Sequence, residues 1–404
     1  MSDLIFLVLS LILIAILIRL KVNIGISIFF VSIIMSIYKG IPIITFPSLM
    51  VDTLKHLDTI NLMLVFAIVT YLAEIWKISG FLDDIINNFE KIFPPKVSLP
   101  LFTVVIGLLS MPGGALVSAP MIEYGARNLD LKGEDKALLN FWFRHIWEPI
   151  SPLFPEFLLE ASILGISIGK LIGIQWPIAV GMLVSGIVFI MPKIPDVDFK
   201  KEKVNLEIIF SIFKSISPII LIFVCLMLFK NLPSFVAMLV GLVYVLFLKK
   251  VTSKKMVQAF KFRKILEYAF LIFSVFLLRE VINKTNFAMS IYNELQLLNL
   301  PNFVILFFLP FSIGFLAGIS SASIGIAFPL LLPLLRPDNI LSMQSVFIAY
   351  LGVWTALLVT PTHLCLSLSV DYFKASFSKF YKGMIKPIFL LILIALVWYF
   401  ILSL

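Results

Sequence analysis

GISSASIGIAFPLLLPLLRP, the stretch from Gly318 to Pro337, is as apolar as a membrane helix but too irregular to be a single one. Its first eight residues include three serines and two glycines, and two prolines interrupt the apolar run that follows. Every backbone polar group in the hydrocarbon core needs a partner within the protein, so irregular structure persists there only against protein or a wet cavity. The stretch therefore predicts a re-entrant hairpin near 301–335, made of two half-length helices that meet at a tip.

The same kind of pattern occurs in the first half of the chain and predicts a second hairpin near 99–124. Three pairs of segments align in the same order: Thr70–Phe81 with Phe276–Phe287, Ile106–Pro120 with Ile313–Pro329, and Ser151–Ser162 with Thr360–Asp371. Their order and nearly constant spacing predict two repeats, residues 1–192 and 206–404, joined by a cytoplasmic linker at 193–205.

Composition assigns the chain to the membrane proteins. Of its 404 residues, 61% are hydrophobic and 14% are charged, and the mean hydropathy is +1.09. A helix needs roughly 20 apolar residues to cross a bilayer. Ten apolar runs are candidate spans by this criterion: 4–19, 22–39, 58–77, 140–167, 172–192, 206–229, 233–249, 264–283, 341–371 and 383–403. The predicted fold is an all-α polytopic membrane protein with about ten transmembrane helices plus two re-entrant hairpins. Five spans and one hairpin per repeat make the two copies inverted, an arrangement typical of secondary transporters whose site lies near the midplane.

Several function classes lack their sequence signals. The polar connections are too short for a soluble domain, which usually takes at least about 50 residues. No HExxH, GxSxG, Walker or dinucleotide-binding pattern occurs, so we predict no enzyme, no ATP-driven pump and no cofactor. Cys225 and Cys365 lie in apolar stretches and form neither a disulfide framework nor a zinc-ligand spacing.

Charge predicts the orientation in the cytoplasmic membrane. Asp3 precedes the first apolar run, whereas Arg19 and Lys21 follow it, and basic residues favour the cytoplasmic side. If each hairpin returns to the side from which it came, most later basic clusters share that side, and both termini are extracytoplasmic. The net charge of +9 is then a topology signal that also attracts anionic lipid, and no nucleic-acid partner is predicted.

The small residues of the two hairpin tips are the first candidates for a binding site. They are Ser110, Gly113, Gly114 and Ser118 in the first hairpin, and Gly318, Ser320, Ser321 and Ser323 in the second. Hydroxyls and helix N-termini would hold a carboxylate, and unwound carbonyls suit Na⁺, so no metal beyond Na⁺ is predicted there. The alternative is that small residues only allow close helix packing.

A second group of candidates lies where proline breaks a span in the second repeat. Thr360 and Thr362 flank Pro361 and are predicted ligands of the solute or ion. His363 is a candidate proton relay or substrate donor, or alternatively a buried neutral histidine bonded to a carbonyl. Asp371, which follows towards the cytoplasm, is a candidate coupling group.

The corresponding break in the first repeat carries three ionisable side chains, Arg144, His145 and Glu148. Ionisable groups within a span are usually functional, and a guanidinium fits a carboxylate, so these side chains are candidates for substrate binding or coupling. The alternative is mutual neutralisation, because Arg144 and Glu148 are four residues apart and would face each other on an α-helix.

The segments WFRHIWEPISPLFP and TPTHLCLSLSVDYF, together with the hairpins, resemble an uncharacterised integral membrane protein family of the ion transporter superfamily. That superfamily includes gluconate permeases, C4-dicarboxylate and citrate carriers, and aminobenzoyl-glutamate transporters. The resemblance covers essentially the whole chain and implies a homodimer that works as an elevator. It implies scaffold spans at 1–96 and 206–298, and transport-domain hairpins and spans at 97–192 and 299–404.

Together these observations predict a secondary active transporter, a symporter of a small organic anion such as a carboxylate or sugar acid, coupled to Na⁺ or H⁺. Two alternatives from other classes stay open. A channel or passive pore would conduct without a coupling ion. A membrane scaffold or lipid-handling protein would bind no small solute and would tolerate polar substitutions at both tips.

Overall fold

A computed structural model of the chain describes residues 2–108, 114–199, 205–229 and 232–402. Residues 109–113 of the first predicted hairpin, residues 200–204 of the predicted linker and Ser403 of the last predicted span lie outside the described residues. Within them, regular structure is helical. The α-helices α1 to α20 are, in chain order, Asp3–Arg19, Ile24–Tyr38, Phe46–Lys55, Leu57–Ile78, Phe81–Ile92, Pro95–Gly107, Ala115–Gly125, Gly133–Trp142, Pro155–Leu164, Ile168–Phe189, Leu206–Leu228, Ser234–Leu248, Ser253–Ala259, Phe262–Lys284, Phe287–Leu297, Asn302–Ala317, Ser320–Leu335, Met343–Val359, Leu364–Tyr372 and Phe377–Ile401.

Several helices have the length and apolar character needed to cross a bilayer. Among the described residues, five stretches meet both criteria: Leu57–Ile78, Ile168–Lys193, Leu206–Leu228, Met343–Tyr372 and Phe377–Ile401. Shorter apolar helices, including α2, α6, α12, α16 and α17, accompany them. Much of the surface is apolar, as on α11, where Phe210 and Phe213 are exposed. The chain is an integral membrane protein, because only lipid covers such a surface favourably.

The order of helices repeats along the described chain. The 22-residue α4 and the 12-residue α5 correspond to the 23-residue α14 and the 11-residue α15. Contacts recur between the halves in exchanged form: α2 packs against α14 and α12 against α4, while α17 packs against α9 and α7 against α19. Each half therefore completes the packing of the other.

Each predicted hairpin contains a pair of packed helices. α6 packs against α7 in the first half, and α16 packs against α17 in the second. Gly318 ends α16 in the left-handed conformation with φ of +72°, and Ile319 is extended before α17 begins at Ser320. A left-handed residue is a common way to end a helix, and glycine adopts it without a steric penalty.

The predicted span 140–167 is not one helix. α8 begins earlier, at Gly133, and ends at Trp142, and a 3₁₀ turn at Phe143–His145 and further turns precede α9. Pro149, Pro152 and Pro155 cause the break, since proline lacks the amide hydrogen that an α-helix needs. The predicted span 341–371 is likewise divided at Pro361 into α18 and α19.

Candidate functional site

The helix breaks of both halves meet at one cavity of about 260 Å³. One wall is formed by the start of α2, by α4 and by α14, and the other by residues around 144–156, 319–321 and 363–365. The polar side chains that line it are Asn23, Thr70, Glu267 and Tyr268 on the first wall, and Arg144, His145, Glu148, Glu156, Ser320, Ser321, His363 and Cys365 on the second. Irregular backbone at the predicted membrane depth therefore faces a cavity to which several polar side chains contribute, as the physics of the hydrocarbon core requires.

The second hairpin contributes the N-terminus of α17 to this cavity. Ser320 and Ser321 form its first turn and are buried. The Ser320 hydroxyl donates a hydrogen bond to Oε1 of Glu148, with 2.8 Å between the oxygens. First-turn amides of a helix have no intrahelical acceptor and carry partial positive charge, so this end of the cavity favours an anionic group.

Two histidines from opposite halves of the chain meet beside the hairpin tip. Nδ1 of His145 lies 2.6 Å from the Phe141 carbonyl oxygen, and Nδ1 of His363 lies 2.9 Å from that of Gly318. A carbonyl oxygen only accepts hydrogen bonds, so each Nδ1 carries the hydrogen and donates it. The two Nε2 atoms then face each other at 3.1 Å.

A thiol completes a group of potential metal ligands at this position. One donor atom each from His145, His363 and Cys365 lies within 4.8 Å of the other two. Cys365 is buried, as is His145. Imidazole nitrogen and thiolate sulfur are ligands that zinc and copper prefer to the hard oxygen ligands of Na⁺.

Arg144 lies in the 3₁₀ turn between α8 and α9, with only 4% of the residue exposed. Its guanidinium lies against the first hairpin: a Cβ atom placed on Gly114 would come within 2.2 Å of both terminal nitrogens. Because α8 ends at Trp142, Arg144 and Glu148 do not share the α-helix on which the alternative of mutual neutralisation is based. Glu148 instead accepts the hydrogen bond of Ser320.

Ser118 belongs to a buried network rather than to the cavity lining. Its hydroxyl donates to Oδ1 of Asn140 at 2.5 Å, and Nδ2 of Asn140 donates to the Ala115 carbonyl at 3.1 Å and to the Ser369 hydroxyl at 3.0 Å. Asn140 is fully buried. This amide therefore joins α7, α8 and α19, close to the cavity but behind its wall.

We expect Asn140→Ala to destabilise the protein by about 1–3 kcal/mol, because the substitution leaves the hydroxyl of Ser118 and the carbonyl of Ala115 buried with a partner lost. Thermal unfolding of the purified protein in detergent measures this loss. Asn302→Ala is the matched control, since Asn302 is exposed and its amide oxygen accepts a hydrogen bond from Gln296. Equal melting temperatures for the two variants would contradict a structural role of the network.

The remaining threonines and serine satisfy backbone carbonyls of the second hairpin. Thr360 donates to the Phe315 carbonyl at 2.6 Å, and the Thr362 hydroxyl lies 2.7 Å from that of Thr360. Phe315 is in the last turn of α16, where carbonyls lack intrahelical partners. Ser323 donates to the Pro310 carbonyl at 2.7 Å. These three side chains stabilise the second hairpin through hydrogen bonds, and none of them is among the residues that line the cavity.

The structure thus brings together six of the predicted side chains as cavity lining: Arg144, His145, Glu148, Ser320, Ser321 and His363. Gly114 and Gly318 form close contacts beside it, whereas Asp371 is exposed at the end of α19. Ser110 and Gly113 lie outside the described residues. Sequence reasoning did not select Glu156, Cys365 or Asn140. For Cys365, the sequence did hold a signal: this cysteine lies two residues after His363.

Comparison with known proteins places the chain within a family and a fold. A crystal structure of the YdaH transporter from Alcanivorax borkumensis, described as having an unusual topology, matches with a TM-score of 0.60 over 87% of this chain and 86% of that chain. The sequences are 14% identical, so the likeness shows a shared fold. No curated protein matches the chain. The model of the family described as protein of unknown function, DUF401, matches residues 1–402. This match covers nearly the whole length, and the chain therefore belongs to the DUF401 family.

Proposed function

We propose that this protein is a secondary active transporter of a small organic anion, a carboxylate or a sugar acid, coupled to Na⁺ or H⁺. The observation that carries the proposal is the cavity at which the broken helices of both halves converge, with Arg144 in its wall. Interrupted helices at corresponding positions of two repeats form the substrate sites of many transporters. The fold shared with the YdaH transporter supports the same class.

The charges around the cavity support an anion that travels with a cation. Arg144 offers a planar set of donors suited to a carboxylate, and the α17 N-terminus adds partial positive charge. Glu148 and Glu156 line the same cavity, and in their ionised form their carboxylates would repel the anion. A cation that enters with the anion offsets this repulsion, so binding of the two is linked in the sense that symport requires.

The two walls of the cavity support an elevator. All residues of the first wall fall in the segments 1–96 and 206–298, and all residues of the second fall in 97–192 and 299–404. These are the scaffold and transport domains that the family resemblance implies. We accordingly propose that the second group moves relative to the first and carries the solute with it.

Further features of the proposal follow the same resemblance. We propose membership of the ion transporter superfamily, two inverted repeats with re-entrant hairpins, and a homodimer in the cytoplasmic membrane with both termini extracytoplasmic. The exchanged contacts between α2 and α14 and between α12 and α4 support the repeats, since a two-fold relation between halves produces such pairs.

Thermal stability in detergent tests the proposed substrate class. A panel of carboxylates and sugar acids is added with and without Na⁺, and at two pH values. We expect one class of anion to raise the melting temperature with its concentration, and to need Na⁺ or the lower pH, because a ligand specific for the folded state stabilises it. Ser321→Ala should weaken this effect. Ser312→Ala is the control, since Ser312 is exposed and bonds within its own helix.

Reconstitution then separates transport from the two alternatives. Uptake of the stabilising anion into liposomes should follow an imposed Na⁺ or H⁺ gradient. A conductance that needs no coupling ion would instead indicate a channel or pore. If no anion on the panel stabilises the protein or is taken up, the proposed substrate class is wrong, and a scaffold or lipid-handling role gains support.

A further inference from the structure

We infer that His145, His363 and Cys365 form a binding site for a transition-metal ion of the zinc class, placed in the cavity wall. The site goes beyond the proposed function, and its test contains no organic anion, so the two proposals can fail separately.

Each ring has its Nδ1 hydrogen committed to a backbone carbonyl, that of Phe141 for His145 and that of Gly318 for His363. Each Nε2 therefore presents a lone pair, and the two lone pairs converge at 3.1 Å. Two lone pairs this close repel each other unless a positive centre lies between them. The backbone thus holds both rings in an arrangement that a cation stabilises.

The distance fits a metal ion. In a tetrahedral zinc site each Zn–N bond is about 2.0–2.1 Å, which places two ligating nitrogens about 3.3 Å apart. The observed separation of the Nε2 atoms, 3.1 Å, is within a few tenths of an ångström of this value. The carbonyl bonds of both Nδ1 atoms match the outer shell of metal-bound histidines, which fixes the tautomer and the ring orientation.

Cys365 determines the kind of cation. Its donor atom lies within 4.8 Å of those of both histidines, and its side chain is buried. Two imidazoles and one thiolate favour zinc or copper, whereas Na⁺, Mg²⁺ and Ca²⁺ prefer oxygen. The three side chains line the cavity, so a fourth coordination position faces its interior. Three protein ligands with one open position are typical of zinc sites that also bind an exogenous group.

The surrounding charges are compatible with a divalent ion. Glu148 and Glu156 line the same cavity and in their ionised form would offset part of the charge of the metal ion, as would the thiolate, whereas the positive charge of Arg144 opposes it. A proton shared between the two Nε2 atoms would also relieve the repulsion of the lone pairs. A shared proton does not need the Cys365 thiolate as a ligand, whereas the metal ion does. Replacing Cys365 therefore distinguishes a shared proton from a metal ion.

The test is metal binding by the untagged full-length protein in detergent, after treatment with a chelator and without any organic anion. Co²⁺ is the probe, because a thiolate ligand gives it a ligand-to-metal charge-transfer band that nitrogen and oxygen ligands do not. We expect one Co²⁺ per chain, such a band, and its loss when Zn²⁺ is added in competition. Cys365→Ser should abolish the band and weaken Zn²⁺ binding by at least about tenfold, since even loss of an outer-shell partner costs that much.

The chain supplies its own controls, because it has three histidines and two cysteines in all. His56→Ala and Cys225→Ser remove the other histidine and the other cysteine, and both variants should keep the band and the affinity. His363→Ala should lose both. If this variant does not fold, Cys365→Ser decides alone, because it keeps both rings and changes one buried atom.

Two results would overturn the inference. One is the absence of a thiolate band at saturating Co²⁺, which would leave the shared proton as the explanation of the facing rings. The other is a band or a Zn²⁺ affinity that persists in Cys365→Ser, which would place the metal elsewhere. Because no anion is present, neither result bears on the proposed transport, and a failed anion panel leaves the metal site untouched.

Discussion

Replacing Arg144 with alanine is expected to reduce the affinity for the transported anion by at least about 30-fold and to abolish coupled uptake. The loss corresponds to about 2 kcal/mol or more, the lower end of what removing one partner of a buried charge pair costs. Arg144 is a cationic residue of the cavity lining, it is buried, and it lies beside the first hairpin. Its contact with Gly114 fixes the guanidinium relative to the first hairpin.

Anion-dependent thermal shifts and uptake into liposomes, both measured on the same preparation, provide the test. Arg144→Lys should bind the anion with intermediate affinity, because an ammonium group keeps the charge but loses the planar arrangement of donors. Arg127→Ala is the matched control. That arginine is exposed and stacks on the Tyr124 ring, with 3.9 Å between the guanidinium carbon and the ring centroid. An Arg144→Ala variant that folds normally and binds the anion like the wild type would show that another group holds the carboxylate.

The helix pairs of the two predicted hairpins could be located from the sequence because their signals are local. Gly318 ends α16 in a conformation that favours glycine, and the small residues that follow begin a new helix. The same holds for the break before α9, where three prolines within seven residues prevent a continuous helix. A single sequence also predicts the order of the repeats, since aligning segments requires no knowledge of contacts.

The composition of the site could be predicted only in part, because its decisive contacts join distant residues. His145 and His363 are 218 positions apart, so no ligand spacing of the usual kind indicated a metal site. Asn140 and Ser369 are 229 positions apart, and nothing near Asn140 marks it as the centre of a network. The sequence marks the polar residues beside each helix break as candidates. It does not show whether a hydroxyl faces the cavity or, as with Thr360, donates to a backbone carbonyl.

The alternative in which Arg144 and Glu148 face each other depends on an α-helix that the structure does not have at Arg144. Residues four apart face each other only on an α-helix, and α8 ends two residues before Arg144. The prolines that predicted the break also remove the helix on which the pairing would depend. Breaks in a membrane helix therefore make its polar residues available to partners elsewhere, here Ser320 for Glu148.

Gly318→Ala is expected to impair stability, anion binding and metal binding together, because one backbone position supports all three. At φ of +72° an alanine costs about 1–2 kcal/mol for its left-handed conformation. Its Cβ would also lie 2.6 Å from Oγ1 of Thr362 and 2.7 Å from the Thr362 carbonyl oxygen, and such overpacking adds about 1–3 kcal/mol. The same residue accepts the Nδ1 hydrogen bond of His363 and precedes the first turn of α17.

Gly40→Ala isolates the conformational cost. Gly40 has φ of +76°, and no heavy atom lies within 4 Å of the Cβ that it would gain, so this variant should lose stability but keep its anion and metal affinities. Thermal unfolding, the anion-dependent shift and the Co²⁺ charge-transfer band are measured on both variants. We expect Gly318→Ala to be less stable than Gly40→Ala by about 1–3 kcal/mol, the contribution of the clash, and to lose at least about tenfold in both affinities as His363 and the α17 N-terminus move apart. If the two variants behave alike in all three measurements, the tip does not hold the site together, and the backbone bond of Gly318 to His363 has no part in shaping it.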